Sequence, residues 1–203
     1  MLVADRLSAQ KLRAELGPCT IGGEILVLKQ TSSTNDVVLQ MANAGAPEGI
    51  VVFAEHQRAG RGQRGNTWES AAGKGLCFSV LLRPKIAISD PVQLAQRTAQ
   101  IVAATIQSEI HLSATVKPPN DIYIENRKVA GVLVEMRAQP KAPHLAVLGI
   151  GVNVNQMPHD FSEELRGRAT SLASACRGPI DRPSFAIALL RNLDLHYCGG
   201  SLL

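Results

Sequence analysis

Residues 54–68 (AEHQRAGRGQRGNTW) constrain the fold of this chain more than any other stretch. Within them, three glycines and three arginines fall inside eight residues, and the stretch closes with the chain's single tryptophan, Trp68. Apolar runs at residues 50–53 and 76–82 flank it, and both are typical of buried strands. The loop therefore joins two strands. Phosphate-binding Gly-x-x-x-x-Gly-Lys-Ser/Thr loops and dinucleotide-binding Gly-x-Gly-x-x-Gly loops lead from a strand into a helix, so this placement disfavours the common nucleotide-binding folds.

The composition of this loop suits it to binding an anion. Glycines let backbone N–H groups come close to a ligand, and arginines supply forked donors that match phosphate and carboxylate. Without an anion the positive charges repel each other and little apolar surface holds the loop down. We therefore expect residues 58–66 to be mobile until a ligand binds. The alternative interpretation is a solvated surface loop with scattered arginines.

The composition as a whole is that of an ordinary globular protein. The 203 residues, 45% hydrophobic and 19% charged, suffice for one domain with a sizeable core. A net charge of +4 fits an anionic small ligand or an acidic partner, and is too small to indicate nucleic acid binding. The four cysteines are widely separated, which favours reduced, buried thiols over zinc ligation or disulfides. The sequence lacks a membrane span and a signal peptide, so it predicts a cytoplasmic protein without membrane association.

Hydrophobic periodicity predicts helices interspersed with strands. Helices are predicted over residues 5–16, 37–45 and 182–197, and a further helix opens with Asp90 as its cap and Pro91 at its first position. Strands are predicted over residues 25–29, 50–53, 76–82, 122–124, 129–136 and 144–155, with a hairpin turn at Glu125-Asn126. Residues 116–121 (VKPPND) are predicted to be a rigid connection. This order predicts an α/β protein of the α+β type, in which a mixed β-sheet is covered by helices.

Residues 31–36 (TSSTND) form a cluster of hydroxyl and amide side chains between a predicted strand and helix. One of them is expected to cap the helix, which is the structural interpretation of the cluster. Capping uses one side chain, so several others remain to face a ligand.

Several motifs, taken in order, resemble the catalytic domain of biotin–protein ligases. The match spans roughly residues 25–195. The matching elements are Ser33-Thr34-Asn35, Gln57 with Gly60-Arg61-Gly62, Trp68, Lys117-x-Pro119-Asn120-Asp121, Lys128-x-Ala130-Gly131-x-Leu133-x-Glu135, Gly149-x-Gly151-x-Asn153 and Thr170-Ser171-Leu172.

The resemblance implies a fold related to class II aminoacyl-tRNA synthetases, and a biotin–[biotin carboxyl-carrier protein] ligase. Such an enzyme forms biotinyl-5′-AMP from biotin and ATP with Mg²⁺. It then transfers biotin to a lysine of the biotin carboxyl carrier protein of acetyl-CoA carboxylase or a related carboxylase. The oligomeric state stays open, a homodimer being one of the states allowed.

The resemblance also implies roles for individual residues. The implied biotin site comprises Ser33, Thr34, Asn35, Gln57, Gly60, Arg61, Gly62, Gln63, Lys128 and Gly131. The implied ATP site comprises Arg61, Arg64, Trp68, Lys117, Asn120, Asp121 and Asn153. Lys128, Arg61 and Arg64 are expected to act in the chemistry, and Asp121 to help seat Mg²⁺, with a capping role as its structural alternative. His56 and Asn155 are expected to be structural or solvated.

Lys128 is expected to matter most, because the ligase pattern places it beside the biotin carboxylate and the phosphate that it attacks. Alternation along the strand puts Ala130 on the same face as Lys128, and Val129 on the other. The alternative is a solvated lysine at the end of a hairpin.

The sequence departs from the family pattern at three positions. Gln63 and Asn66 stand where the family commonly has arginines, which removes charge from the loop, and Pro118 stands where tryptophan is frequent.

Few residues of the sequence lie outside the matching residues 25–195. We expect residues 1–203 to be a catalytic domain alone, with neither an N-terminal DNA-binding domain nor the usual small C-terminal domain, and hence no DNA binding.

Two alternatives remain open at this point. Lipoate–protein ligases and octanoyltransferases share the fold, but their acyl pocket has no need of the Ser-Thr-Asn/Gln cluster. The other alternative is a non-catalytic binder of biotin or biotinyl-adenylate. Pyrophosphate exchange into ATP separates them: dependent on biotin for the ligase, on lipoate or octanoate for the first alternative, and absent for the second.

Overall fold

The computed structural model describes residues 5–84, 91–137, 144–200 and 202. In these ranges the helices are α1 (Ala9–Leu16), α2 (Thr34–Asn43), α3 (Pro91–Ile110), α4 (Leu172–Cys176) and α5 (Arg182–Cys198). The strands are β1 (Ile25–Leu28), β2 (Val51–Ala54), β3 (Gly60–Arg61), β4 (Thr67–Trp68), β5 (Leu76–Leu82), β6 (Thr115–Lys117), β7 (Asp121–Ile124), β8 (Arg127–Arg137) and β9 (Leu145–Val152). Gln63–Gly65 and Pro158–Asp160 are short 3₁₀ helices.

Seven of the strands in these ranges form one sheet in the order β1-β2-β5-β9-β8-β7-β6. β1 and β2 are parallel, whereas the other neighbouring strands are antiparallel. β5 lies near the centre and all of its residues are buried, as its continuous apolar run predicts. Helices α1, α3 and α5 cover one face of the sheet, and α2 covers part of the other. The predicted mixed sheet covered by helices is confirmed.

The face under α2 changes character along β9. Near the start of that strand it carries Leu145 and Val147, which pack with Val38 of α2. Further along, the same alternating positions are Gly149 and Gly151, and neither has a side chain to fill the space above the sheet. A cavity can therefore form beyond the part of the sheet that α2 covers.

The first helix begins at Ala9, and not at residue 5 as the leucine spacing predicts. Asp5 instead pairs with Arg182, which is fully buried at the start of α5, with 3.2 Å between Asp5 Oδ1 and Arg182 Nε. Arg182 NH1 also lies 2.7 Å from Glu55 Oε2, just beyond β2. Because a buried guanidinium is costly unless paired, these contacts draw Asp5 away from the helix. They also anchor α5 beside the start of residues 54–68, the glycine–arginine loop.

Two stretches predicted as loops contain β-structure. Residues 116–121 contribute to β6 and to the start of β7, and the short turn between them includes a cis peptide bond between Pro118 and Pro119. Within residues 54–68, β3 and β4 form an antiparallel ribbon that pairs Gly60 with Trp68. Both pairings join strands across short turns that carry no apolar alternation, so the sequence pattern did not reveal them.

The other predicted elements are present with shifts at their ends, whereas the short helix α4 was not predicted. The hairpin turns at Glu125 and Asn126, whose φ values of 48° and 62° are those of a two-residue turn between twisted strands. Strand β9 ends at Val152, three residues before the predicted end. Pro91 opens α3 as predicted, whereas the predicted cap, Asp90, lies outside the described residues.

The cysteines are free thiols, as their spacing predicts. The prediction that they are buried holds for Cys77, where burial raises the thiol pKa to about 11, but Cys198 is exposed. Within the described ranges, no helix combines the length and apolar character needed to cross a membrane.

Candidate active site

A cavity of about 260 Å³ opens on the α2 face of the sheet, beside the N-terminus of that helix. Its floor includes Gly131, Gly149 and Gly151, and the glycine–arginine loop and the turn between β6 and β7 form parts of its wall. The predicted site residues that line it are Ser33, Thr34, Asn35, Gln57, Arg61, Gly62, Gln63, Arg64, Trp68, Lys117, Asn120, Asp121, Lys128 and Gly131. Residues from four separate stretches of sequence thus meet in one place.

Buried neutral side chains make up one end of the cavity. Gln57 Oε1 accepts hydrogen bonds from the Thr34 backbone N–H at 2.8 Å and from the Thr34 hydroxyl at 3.1 Å. The Ser79 hydroxyl, fully buried in β5, lies 2.7 Å from Thr34 Oγ1 and donates to Asn35 Oδ1. Because each side chain orients the next, these groups are held in place before any ligand arrives.

The expected capping role of this cluster is wrong in detail. Ser33 occupies the N-cap position of α2, but its side chain makes no capping hydrogen bond in the described part of the chain. Instead, the Gln57 side chain, from a different loop, accepts a hydrogen bond from the Thr34 N–H, which has no partner within the helix. Ser33 is only 3% exposed and lines the cavity, so its hydroxyl remains available to a ligand.

The groups packed above the floor leave no room for a side chain at Gly149 or Gly151, and little room at Gly131. A Cβ on Gly149 would lie 2.3 Å from Asn35 Oδ1, and one on Gly151 would lie 2.4 Å from the Trp68 indole. On Gly131, which pairs with Gly151 across the sheet, a Cβ would lie 3.3 Å from Lys128 Cε. The absent side chains therefore make room both for the cavity and for the residues that enclose it.

Cations occupy the other end of the cavity. Arg64 has φ 57°, in the left-handed region, and forms no ion pair with any described residue. Lys117 Nζ lies 5.4 Å from the centre of the Tyr123 ring. Lys128 Nζ lies 2.7 Å from Asp121 Oδ1 and 5.8 Å from the centre of the Trp68 ring. The basic groups that line this end outnumber the one lining carboxylate, Asp121, which favours an anionic ligand.

Arg61 is held by carboxylates of the protein itself. Its NH1 and NH2 groups donate to both oxygens of Asp36, at 2.9 and 2.7 Å, and NH2 also lies 3.1 Å from Glu135 Oε2. The hydrogen bonds from Arg61 hold the pKa of Asp36 below its ordinary value. The assumption that the loop arginines repel one another without a ligand is therefore wrong for Arg61, although the mobility of the loop stays a prediction.

The strand carrying Lys128 contains an irregularity that changes which residues share its face. Tyr123 pairs with Lys128, but Ile122 pairs with Ala130, so Val129 is an extra residue in β8. Both Val129 and Ala130 are buried, and Gly131 is the residue that faces the Lys128 side chain. The expectation that Ala130 shares the face of Lys128 is wrong because this bulge shifts the alternation.

Two predicted site residues do not line the cavity. Gly60 lies against the Trp68 carbonyl, and a Cβ there would be 2.5 Å from that oxygen. Asn153 is buried, and its Oδ1 accepts a hydrogen bond from Gln156 Nε2 at 3.0 Å. Both residues therefore support neighbouring groups in this structure.

His56 and Asn155 have structural contacts, as expected. His56 Nδ1 lies 2.9 Å from the Ser70 carbonyl oxygen, and the Asn155 side chain hydrogen-bonds both the N–H and the C=O of Ile180.

Three residues that support the site, Ser79, Asp36 and Glu135, are not among those predicted from the sequence. Ser79 gave a readable signal, because it is the one polar residue in the apolar run of β5. Asp36 and Glu135 lie within the motifs at residues 31–36 and 128–135, but the motifs themselves indicate no role for either carboxylate. Their ion pairs with Arg61 join positions 25 and 74 residues apart, which no local pattern reveals.

The site contains few side chains that could coordinate a magnesium ion. The described residues contain no group of three or more His, Cys, Asp or Glu side chains that could hold a metal ion. Asp121 is the carboxylate lining the cavity, and Lys128 already pairs with its Oδ1. A magnesium ion here would depend mainly on oxygens of its ligand.

Known proteins are similar to this chain over most of its length. A model of the biotin/lipoate A/B protein ligase family matches residues 27–153. The bifunctional ligase/repressor BirA of Bacillus subtilis is 38% identical over 192 residues, covering 95% of this chain and 59% of that protein. The biotin–[acetyl-CoA-carboxylase] ligase of Mycobacterium tuberculosis is 36% identical over 176 residues, covering 83% of this chain and 62% of that protein. The chain thus spans about three fifths of the length of these relatives.

A solved structure is similar as well. The biotin protein ligase from Aquifex aeolicus in complex with biotin and ATP superimposes with a TM-score of 0.71 at 31% identity, covering 85% of this chain and 71% of that one.

Proposed function

Because the chain belongs to the biotin/lipoate A/B protein ligase family, we propose that it is a biotin–protein ligase. In the first step a biotin carboxylate oxygen attacks the α-phosphorus of ATP, an O–P bond forms, and pyrophosphate leaves. In the second, a lysine amine of a biotin carboxyl carrier protein attacks the acyl carbon of biotinyl-5′-AMP, and AMP leaves. The M. tuberculosis relative is named for acetyl-CoA carboxylase, which supports a carrier of that carboxylase or a related one as the partner.

The observation that carries the proposal is the division of one cavity into a neutral end and a cationic end. Ser33, Thr34, Asn35 and Gln57 provide hydroxyl and amide groups at the neutral end. The ureido group of biotin needs both donors and acceptors, which these side chains supply. An alkyl chain such as that of octanoate would offer no partner to the hydrogen-bonding capacity that these side chains keep free, such as the buried Ser33 hydroxyl, and a buried group left unpaired costs about 1–3 kcal/mol. The neutral end therefore favours biotin.

The cationic end suits the reacting carboxylate and phosphates. Two anions must approach each other before the O–P bond forms, and Lys128 offsets their repulsion from a strand that is anchored on both sides. Arg64, which has no ion pair with a described residue, is available to bind phosphate oxygens. Arg61 keeps its Nε–H without a partner among the described residues, so it can add a further donor. These groups are positioned before the reaction, which is the condition under which electrostatic stabilisation is largest.

In this proposal the protein supplies few of the ligands of the magnesium ion. When bound, the ion would neutralise charge on the ATP phosphates. Asp121 fits such an ion by offering one carboxylate, and Mg²⁺ typically takes one or two carboxylates together with substrate phosphates. The Lys128 ammonium competes for the same carboxylate, so we infer that Asp121 binds the ion weakly in the absence of ATP.

Pyrophosphate exchange into ATP tests the first step, with biotin, lipoate and octanoate compared at equal concentration. We expect exchange with biotin alone. Exchange with lipoate or octanoate would assign the chain to the other branch of the family, and biotin binding without exchange would make it a binder. Incubation with biotin, Mg-ATP and a biotin carboxyl carrier domain, detected with streptavidin, tests the second step. A carrier whose target lysine is replaced by alanine is the matched control.

A further inference from the structure

The Glu135 carboxylate joins two parts of the site that are far apart in sequence. Its Oε2 accepts a hydrogen bond from Asn35 Nδ2 at 2.6 Å, at the neutral end of the cavity. The same oxygen lies 3.1 Å from NH2 of Arg61 in the glycine–arginine loop, and Oε1 lies 3.4 Å from it. One side chain therefore contacts both the neutral end and the glycine–arginine loop.

Glu135 determines which way the Asn35 amide points. An asparagine side chain can exchange the positions of its oxygen and nitrogen with little change in shape, so its partners decide its orientation. An ionised carboxylate only accepts hydrogen bonds, so Glu135 requires the amide nitrogen on its side. The Asn35 oxygen then faces Ser79, whose hydroxyl donates to it. Asn35 is 4% exposed and packs on Gly149, so it has little room to adopt another arrangement.

Glu135 also restrains Arg61. Asp36 binds the guanidinium through two nitrogens, and Glu135 adds a contact from β8, which belongs to the rigid sheet. Asp36 and Asn35 are neighbours in α2, yet Asp36 touches Arg61 while Asn35 touches Glu135. A shift of the Asn35 amide is therefore transmitted to Arg61 through the shared carboxylate.

We propose that Glu135 is a positioning residue that couples the orientation of Asn35 at the neutral end to the position of Arg61 in the closing loop. The part of this proposal that concerns biotin rests on the proposed function. Occupancy of the neutral end then stabilises the closed loop, and the closed loop holds the Asn35 amide in its ligand-binding orientation. Glu135 itself does not touch the reacting atoms.

Glu135→Gln is the main test, because it keeps the shape of the side chain and removes its charge. The side chain is 44% exposed, so the variant should fold. Loss of two charge-assisted contacts should raise KM for biotin by about tenfold or more. Asp36→Asn, which loses only the Arg61 contact, is the comparison, and should raise KM less. A biotin KM for Glu135→Gln within twofold of wild type would overturn the coupling at the biotin site.

A second measurement needs no ligand, and so separates this proposal from the proposed function. Asn35→Ala makes no change in the loop, yet it should increase tryptic cleavage within residues 58–66 by several-fold in the ligand-free protein. In a Glu135→Ala background the same substitution should add nothing, because that variant removes the acceptor that joins Asn35 to Arg61. Asn43→Ala, at the exposed end of α2, is the matched control and should leave cleavage unchanged.

The outcomes are distinct. Increased cleavage caused by Asn35→Ala only in the presence of Glu135 supports the coupling, even in a protein that fails to exchange pyrophosphate with biotin. Equal cleavage of the wild-type protein and of Asn35→Ala, when both unfold cooperatively on heating, overturns the coupling. An equal increase in both backgrounds also overturns it, since the effect would then not pass through Glu135.

Discussion

Replacing Lys128 with alanine is the most direct test of the electrostatics of the cavity. The Lys128 ammonium lies 2.7 Å from Asp121 Oδ1, and the lysine side chain is 33% exposed. Its removal deletes one positive charge and leaves the Asp121 carboxylate unpaired. In the proposed reaction, the biotin carboxylate and the ATP phosphates must then meet beside an unneutralised anion.

The magnitude follows from the charges involved. Two unit charges about 4 Å apart interact by about 4 kcal/mol at an effective dielectric constant of about 20, and partial exposure lowers this figure. Loss of one preorganised electrostatic contact in known enzymes slows the reaction by about 10²–10³. We therefore expect Lys128→Ala to slow adenylate formation by about 10²–10³. Lys128→Arg should not fully restore the rate, because the larger planar head group cannot occupy the same point.

Single-turnover adenylation, with enzyme in excess over labelled ATP, measures this step without product release. Arg127→Ala is the matched control: Arg127 is the neighbouring residue in β8, and its ion pair is with Glu125 of the hairpin turn at 3.4 Å. Its rate should stay within twofold of wild type. A Lys128→Ala rate within a few-fold of wild type would refute the reasoning and make Lys128 a surface lysine.

Three further predictions concern the loop and the floor of the cavity. Residues 58–66 should be cleaved by trypsin more slowly once biotinyl-adenylate is bound, since the anion adds contacts to Arg64; equal cleavage with and without the ligand would rule out closure by the anion. Gln63→Arg should slow dissociation of the adenylate, because a hydrogen bond to a charged group contributes about 1.5–3 kcal/mol, and an unchanged or faster off-rate would mean that Gln63 does not face the phosphate. Gly151→Ala should displace Trp68 at a cost of about 1–3 kcal/mol and raise KM for ATP by about tenfold, whereas Gly167→Ala, with open space around it, should have no effect. An unchanged KM for Gly151→Ala would show that the indole does not contribute to ATP binding.

Most of the fold follows from patterns that lie within single elements. The apolar run of β5, the two-residue turn at Glu125 and Asn126, and Pro91 at the start of α3 are local signals, and each appears where the sequence predicts it. The resemblance to biotin–protein ligases is confirmed at the level of the family. The errors arise where a distant residue overrides the local signal. Asp5 leaves the first helix for Arg182, and the two are separated by 177 residues.

The residues of the candidate site also differ in whether a local sequence pattern reveals them. Residues that form or support the cavity can be recognised when they break the pattern of their element, as do the glycines at alternating positions of β9 and the polar Ser79 within a buried strand. Charged residues give no such signal, because an exposed carboxylate fits almost any surface position. Asp36 acquires a role through Arg61, and Glu135 through both Arg61 and Asn35, which the fold brings close to these carboxylates. The glycines and arginines of the loop are therefore enough to predict an anion-binding role from the sequence, whereas the carboxylates that hold Arg61 can be found only once the fold brings α2, β3 and β8 together.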